Sequence, residues 1–210
     1  MNPLKSKWIL PIGLLFLCVV PVLAGGVRMG QLVSGVVTPE NARFFNSPAP
    51  VIIHVISVSL FCVFGAFQFV PSLRIRNKWH RTMGRILLPF GFFSALSGLW
   101  MAQLYALPVG DGTVLYIERL IFGVAMVAAL SLGYIAIHRR DYVNHRAWMM
   151  RGYAVGLGAG TQVVTNVPWM LLIGTPDLNT RAVLMGAGWV INLAVVEWFI
   201  RSRGAQLVPA

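Results

Sequence analysis

The hydrophobic residues of this chain form six long runs that are separated by shorter polar segments. Each run is close to the roughly 20 residues that an α-helix needs to cross the hydrocarbon core of a bilayer. The pattern therefore predicts an all-α polytopic membrane protein with six transmembrane helices. The predicted spans are residues 8–27, 51–70, 84–105, 117–137, 152–173 and 182–200.

The basic residues are concentrated in every second segment between these runs. Most of the 17 lysines and arginines lie before the first span or after the second, fourth and sixth spans. By the positive-inside rule, these segments face the cytoplasm and both termini are cytoplasmic. The segments on the other side carry fewer arginines, namely Arg28, Arg43, Arg119 and Arg181. The sequence thus predicts a multi-pass membrane protein whose basic segments lie on the cytoplasmic side.

Composition excludes a sizeable soluble domain. Charged residues make up 11% of the chain and the mean hydropathy is +0.73, whereas soluble domains contain about 25% charged residues. The net charge of +11 is explained by topology and by attraction to anionic lipid head groups. We therefore expect the lipid bilayer as a partner and no nucleic acid; a second copy of the chain and a membrane partner subunit stay open as further partners.

The first apolar run and the two cysteines each allow two interpretations. Lys5 and Lys7, an apolar stretch and the small residues near Gly25 resemble a secretory signal, but the run exceeds the 7–15 residues typical of a signal core. We therefore predict a retained anchor. Cys18 and Cys62 lie within spans and belong to no metal-ligand motif, so they are interpreted as packing thiols.

Two basic segments of similar composition indicate an internal repeat. Residues 79–85 and residues 145–151 each contain His-Arg, a nearby tryptophan and methionine, and a closing arginine. The helix pairs around them would match in orientation and form a pseudo-symmetric four-helix core. Small residues that recur along one face predict close helix packing. These are Gly84, Gly91 and Gly98 in the third span and Gly152, Gly156 and Gly160 in the fifth.

Two motifs and one further histidine are typical of a known family. They are His80-Arg81-x-x-Gly84-Arg85, His145-Arg146-x-Trp148-Met149-x-Arg151 and His54. Over residues 51–173 the chain resembles the bacterial membrane family catalogued as domain of unknown function 2306. The resemblance implies a multi-span inner-membrane protein and brings no activity or catalytic residue. We accordingly divide the chain into an anchor with an outer loop (1–50), a four-helix core (51–173) and a sixth helix with a cytoplasmic tail (174–210).

Histidine is the residue type that points most directly to chemistry. Imidazole ligates haem iron through a neutral ring nitrogen, and three of the four histidines flank the predicted cytoplasmic ends of spans. One hypothesis is a b-type haem, with iron ligated by the repeat-related His80 and His145, similar to the b561-type electron carriers. The other candidate cofactor-binding residues are His54, His138, Arg81, Arg85, Arg146 and Arg151, the arginines as propionate partners. The alternative is that the two histidines cap or hydrogen-bond at helix starts.

Polar residues in the fifth span support a different function. Thr161, Gln162, Thr165 and Asn166 need internal partners in lipid, so they either link helices or line a substrate pathway. Glu197 precedes Arg201 by four residues, which predicts a local ion pair. No nucleotide-binding or hydrolase motif is present in the sequence. The alternatives to haem binding are thus a small transporter or lipid-interacting protein and a non-catalytic assembly subunit, and whether the chain is an enzyme stays open.

Overall fold

The computed structural model describes residues 3–70, 73, 78–108 and 110–204. Within these ranges every regular element is a helix, which confirms the all-α fold class. Arg74 and Arg76, predicted to be cytoplasmic, and tail residues 205–210 lie outside the described residues. The elements are α1 (Pro3–Ser34), α2 (Ala42–Asn46), α3 (Pro48–Ala66), a 3-10 turn (Phe67–Phe69), α4 (Lys78–Leu104), α5 (Thr113–His138), α6 (Tyr142–Gly156), α7 (Gly158–Leu172) and α8 (Leu178–Gly204).

Five of the described helices are long and apolar enough to cross a membrane, namely α1, α3, α4, α5 and α8. The fifth predicted span is instead divided at Leu157 between α6 and α7, each of 15 residues. A helix of that length extends about 22 Å, short of the hydrocarbon core of about 30 Å. At the division the Gly160 N–H donates to the Leu157 carbonyl at 3.0 Å. This hydrogen bond spans three residues instead of the four of an α-helix, and Leu157 itself lies between Gly156 and Gly158.

The chain forms two compact units, residues 1–109 and 110–210. In the first unit, α3 packs against α4 and α1 packs against α3. Two glycines make these approaches close. A Cβ atom added to Gly25 of α1 would lie 2.9 Å from Val55 Cγ1, and one added to Gly98 of α4 would lie 3.3 Å from His54 Cε1. Gly98 therefore lies at a close helix contact, as predicted. Gly84 does not, because a Cβ atom added there would have nothing within 4 Å.

In the second unit, α5 pairs with α6, and α7 pairs with α8. A Cβ atom at Gly152 of α6 would lie 2.9 Å from Leu130 Cδ2, in agreement with the predicted packing role of that glycine. The α7–α8 contact is closer still. A Cβ atom at Gly188 of α8 would lie 2.6 Å from Gln162 Cγ and 2.9 Å from the Gln162 backbone nitrogen. The Gln162 backbone is itself this close, so movement of the Gln162 side chain alone would not make room for a methyl group.

We expect Gly188→Ala to destabilise the second unit by about 1–3 kcal/mol, the usual cost of overpacking a core. The matched control is Gly84→Ala, where the added methyl group meets open space and alanine gains about 0.5–1 kcal/mol in helix propensity. The measurement is the thermal midpoint of each purified protein, followed by tryptophan fluorescence. Equal midpoints for the two variants would contradict the close α7–α8 contact.

Candidate functional site

His145 lies in the first turn of α6, and its ring is held by the neighbouring helix. Its Nδ1 atom is 2.8 Å from the carbonyl oxygen of Gly133 in α5. A carbonyl oxygen can only accept a hydrogen bond, so Nδ1 is the donor, and in the neutral imidazole the lone pair is then on Nε2. Metal-ligating histidines commonly donate their second ring N–H to a backbone carbonyl in this way. The packing therefore leaves Nε2 as the ring nitrogen that could coordinate a metal.

The turn between α5 and α6 fixes where α6, the helix that carries His145, begins. Arg140 adopts a left-handed conformation with φ of 59°, and the Asp141 N–H donates to the Ala136 carbonyl at 2.9 Å. Asp141 then caps α6 by accepting hydrogen bonds from the Asn144 backbone N–H at 3.0 Å and from its side-chain amide at 2.6 Å. The hydrogen bonds from Asn144, that of its side chain above all, lower the pKa of the Asp141 carboxyl below its usual value.

This lowered pKa makes the cap dependent on pH. A carboxyl group whose pKa is depressed in the folded protein stabilises the fold above its unfolded pKa, about 3.9, and this contribution is lost as the pH falls through the folded pKa. We expect Asp141→Ala to have a lower thermal midpoint than wild type at pH 7, with a difference that shrinks below pH ~4. Asp141→Asn, a neutral helix cap, should show no such narrowing relative to Asp141→Ala. A difference between wild type and Asp141→Ala that is constant down to pH ~3 would contradict the role of the charge.

The other three histidines have different environments. His80 is half-buried near the start of α4 in the first unit, so it and His145 belong to different units and their pairing stays a prediction. The exposed ring of His138 lies edge-on to Tyr134, with centroids 4.4 Å apart. His54 donates through Nδ1 to the Ser94 carbonyl of α4 at 2.9 Å. His54 is thus oriented like His145, although within the other helix pair.

The candidate arginines also separate into groups. Arg81 and Arg85 are exposed and lie one turn apart on α4. The guanidinium carbon of Arg146 is 5.7 Å from the ring centroid of Phe199. Arg151 is engaged within the protein, because it binds Glu197 through Nε at 2.5 Å and Nη2 at 3.1 Å.

The sequence pattern missed the Arg151–Glu197 pair. Glu197 does approach Arg201, its predicted partner, but at 4.0 Å and with an exposed arginine. The stronger partner, Arg151, lies 46 positions away in the sequence, beyond any local spacing rule. Arg151 also lies over the Trp148 ring, 4.4 Å from its centroid. A bidentate guanidinium–carboxylate pair of this kind is a structural link between α6 and α8.

The polar side chains of α7 are used to bind α8, which confirms the prediction that they link helices. The Thr161 hydroxyl donates to the Asn192 side-chain oxygen at 2.7 Å, and the Gln162 amide donates to the Met185 carbonyl at 3.0 Å. The Thr165 hydroxyl donates to the Leu184 carbonyl at 2.7 Å. The Asn166 amide donates to the Gln162 carbonyl in its own helix at 2.8 Å. These side chains therefore donate hydrogen bonds to backbone and side-chain acceptors within the α7–α8 pair.

A second charged group, also missed from sequence, lies at the other end of this unit. The Asp111 carboxylate is fully buried and accepts hydrogen bonds from Arg119 at 2.5 Å and from Arg181 at 2.7 Å. Asp111 thereby joins the segment before α5 to the starts of α5 and α8. A signal for it existed, since Asp111 lies between the third and fourth predicted spans, on the same predicted side as Arg119 and Arg181, and its charge is opposite to theirs.

Glu118 is a further carboxylate at this end of the unit. Its Oε2 atom is buried and has no hydrogen-bond partner among the described residues. A Cβ atom added to Gly186 of α8 would lie 2.6 Å from Glu118 Oε1, so the carboxylate rests against a position that only glycine leaves open. In the part of the chain that the structure describes, no three His, Cys, Asp or Glu side chains form a cluster that could hold a metal ion.

Comparison with known proteins places the chain in a family. Residues 51–200 match a family model described as predicted membrane protein (DUF2306). The match covers well over half of the chain, and it begins at the predicted boundary and continues through α8, beyond the predicted limit at residue 173. No match was found among curated proteins or among solved structures. The chain belongs to the DUF2306 family of membrane proteins.

Proposed function

We propose that this membrane protein binds a b-type haem and acts in electron transfer, with His145 as an axial ligand. The observation that carries the proposal is the 2.8 Å hydrogen bond from His145 Nδ1 to the Gly133 carbonyl. It presents Nε2 as the free ligand atom, which is the form in which imidazole binds iron. His80 occupies the matching position of the internal repeat and is the candidate ligand within the first unit.

The chemistry of the neighbouring residues fits a haem. Bound between two histidines, a haem supplies reversible one-electron transfer. Its propionates need cationic partners, and Arg81 and Arg85 are exposed within the two turns that follow His80. Arg151 is less suited, because Glu197 already occupies its guanidinium. The proposed propionate partners are therefore the two arginines of α4.

The same proposal includes a topology. Lysines and arginines at the ends of the helices orient a membrane protein toward the cytoplasm, and we propose an inner-membrane location with both termini cytoplasmic. A sixth crossing would require α6 and α7 to act together, since neither alone is long enough. The central helices α3 to α7 would then form the pseudo-symmetric core. The basic segments would contact anionic head groups, each charge contributing about 1 kcal/mol.

A transporter that uses the polar face of α7 draws less support from the contacts. Thr161, Gln162 and Thr165 each donate a hydrogen bond to α8. A substrate would have to replace these bonds, and a buried polar group left without a partner costs about 1–3 kcal/mol. The haem proposal requires no such rearrangement of His145.

The test is the visible absorption spectrum of the detergent-purified full chain, produced in cells with ample haem. We expect a Soret band that shifts on reduction with dithionite and sharp α and β bands in the reduced spectrum, with about one haem per chain by pyridine haemochrome assay. A membrane cytochrome purified from the same cells is the control for haem supply. A colourless protein beside a coloured control would overturn the proposal.

A further inference from the structure

The two cysteines of the chain, 44 positions apart in sequence, meet inside the first unit. Cys18 lies midway along α1 and Cys62 near the end of α3, and neither is in a disulfide bond. The Cys62 thiol hydrogen-bonds to Cys18, and the Cys18 thiol donates to the Leu14 carbonyl of its own helix at 3.2 Å. Because these are the only cysteines in the chain, the packing brings its whole thiol content to one point.

An independent contact shows that this meeting follows from the helix register. One α1–α3 contact joins Cys18 to Cys62, and another joins Gly25 to Val55, where a glycine Cβ atom would lie 2.9 Å from Cγ1. A step of seven residues forward on α1 therefore corresponds to seven residues back on α3. This is the relation expected of antiparallel helices that keep the same faces in contact over two turns. The thiols are held in position by two packed helices.

The surroundings decide which oxidant can reach the pair. The two residues are only 4% and 6% exposed, within two apolar helices that are each long enough to span a membrane. The outward face of α1 beside Cys18 is apolar, with Phe16 74% exposed and Val19 49% exposed. Charged, water-soluble disulfides such as glutathione are poorly soluble in such a region. A lipid-soluble quinone partitions into it.

We propose that Cys18 and Cys62 form a redox-active dithiol that a lipid-soluble quinone oxidises to an intramolecular disulfide. Both S–H bonds break and one S–S bond forms. The two electrons and two protons pass to the quinone, whose two carbonyl oxygens become the hydroxyls of a hydroquinone. The bond ties α1 covalently to α3, and a dithiol reductant reverses it by thiol–disulfide exchange. The proposal is independent of haem binding, since it uses none of the histidines.

The test is quinone titration of the purified full chain in lipid nanodiscs, with a short-chain ubiquinone analogue as the probe. After acid quenching and denaturation, remaining thiols are counted by the gel shift from a polyethylene glycol maleimide. We expect wild type to lose both reactive thiols while one equivalent of quinol appears per chain, and dithiothreitol to restore both. Cys18→Ser and Cys62→Ser should each keep one reactive thiol and produce no quinol.

The matched control moves one thiol by about a turn, in Cys62→Ser combined with Ser59→Cys. This variant keeps two cysteines on the same helices but out of register, and we expect at least a tenfold slower loss of thiols. Two outcomes would overturn the proposal: wild-type thiols that stay reactive after quinone treatment, or disulfide-linked dimers in place of the intramolecular bond. The thermal midpoint of wild type treated with dithiothreitol is compared with that of the untreated protein, which verifies that the protein tested is folded.

Discussion

Replacement of His145 by alanine is expected to abolish the absorbance of a bound haem, because it removes the proposed axial ligand. The hydrogen bond to the Gly133 carbonyl orients the wild-type ring and leaves Nε2 as the nitrogen that the proposal assigns to the iron. The matched control is His138→Ala, an exposed histidine at the end of α5 whose ring contacts Tyr134. Reduced-minus-oxidised spectra of equal amounts of purified protein should show α and β bands for His138→Ala and none for His145→Ala.

A second variant separates ligation from folding. His145→Gly leaves a space of imidazole size, so added imidazole should restore the Soret band when it binds in place of the side chain. Rescue by imidazole would demonstrate a ligand role, since a merely structural histidine would not produce it. Full haem content in His145→Ala would show that another residue binds the iron, and the assignment would then be wrong.

Asp111→Asn is expected to have the largest effect on stability. The wild-type carboxylate is fully buried and paired with two guanidinium groups that are 26% and 33% exposed. Removing one partner of a buried ion pair leaves uncompensated charge and costs roughly 3–5 kcal/mol. Because the arginines keep some access to water, we expect a loss near the lower end, about 3 kcal/mol. The measurement is the thermal midpoint, together with the yield of monodisperse protein in detergent.

The matched control for this change is Asp177→Asn, which removes the same charge from an exposed residue before α8. Asp177 caps that helix by accepting from the backbone N–H groups of Asn179 and Thr180, each at 2.9 Å. Asparagine is also a good helix cap, so the midpoint should change little. Asp111→Asn with a midpoint as close to wild type as that of Asp177→Asn would mean that the buried carboxylate contributes nothing to the fold.

The positions of most helices could be predicted from sequence because a span requires a long apolar run, which is visible in a single sequence. The predicted run 84–105, for example, lies almost entirely within α4. The division of the 152–173 segment could not be predicted in the same way. Its apolar content is continuous across Leu157, and the interruption arises from backbone hydrogen bonding beside Gly156 and Gly158, to which hydropathy is insensitive.

Candidate site residues were predictable only by type. The rarity of histidine identified His145 as a candidate, but its orientation depends on the Gly133 carbonyl of another helix. The spacing rule found Arg201 for Glu197 and missed Arg151, because tertiary packing rather than spacing brings that pair together. Likewise, Cys18 and Cys62 belong to no motif, and only the antiparallel register of α1 and α3 makes them neighbours.

The hydrogen bonds between α7 and α8 bear on how the chain is inserted during synthesis. Three donors of α7 find their acceptors on α8, which leaves the ribosome later. In hydrocarbon, the Thr161 hydroxyl and the Gln162 amide would lack these acceptors until α8 arrives, and polar groups without partners are costly there. We therefore expect α7 to remain at the translocon or the membrane surface until α8 has been made, and the two helices to enter the bilayer as one hairpin.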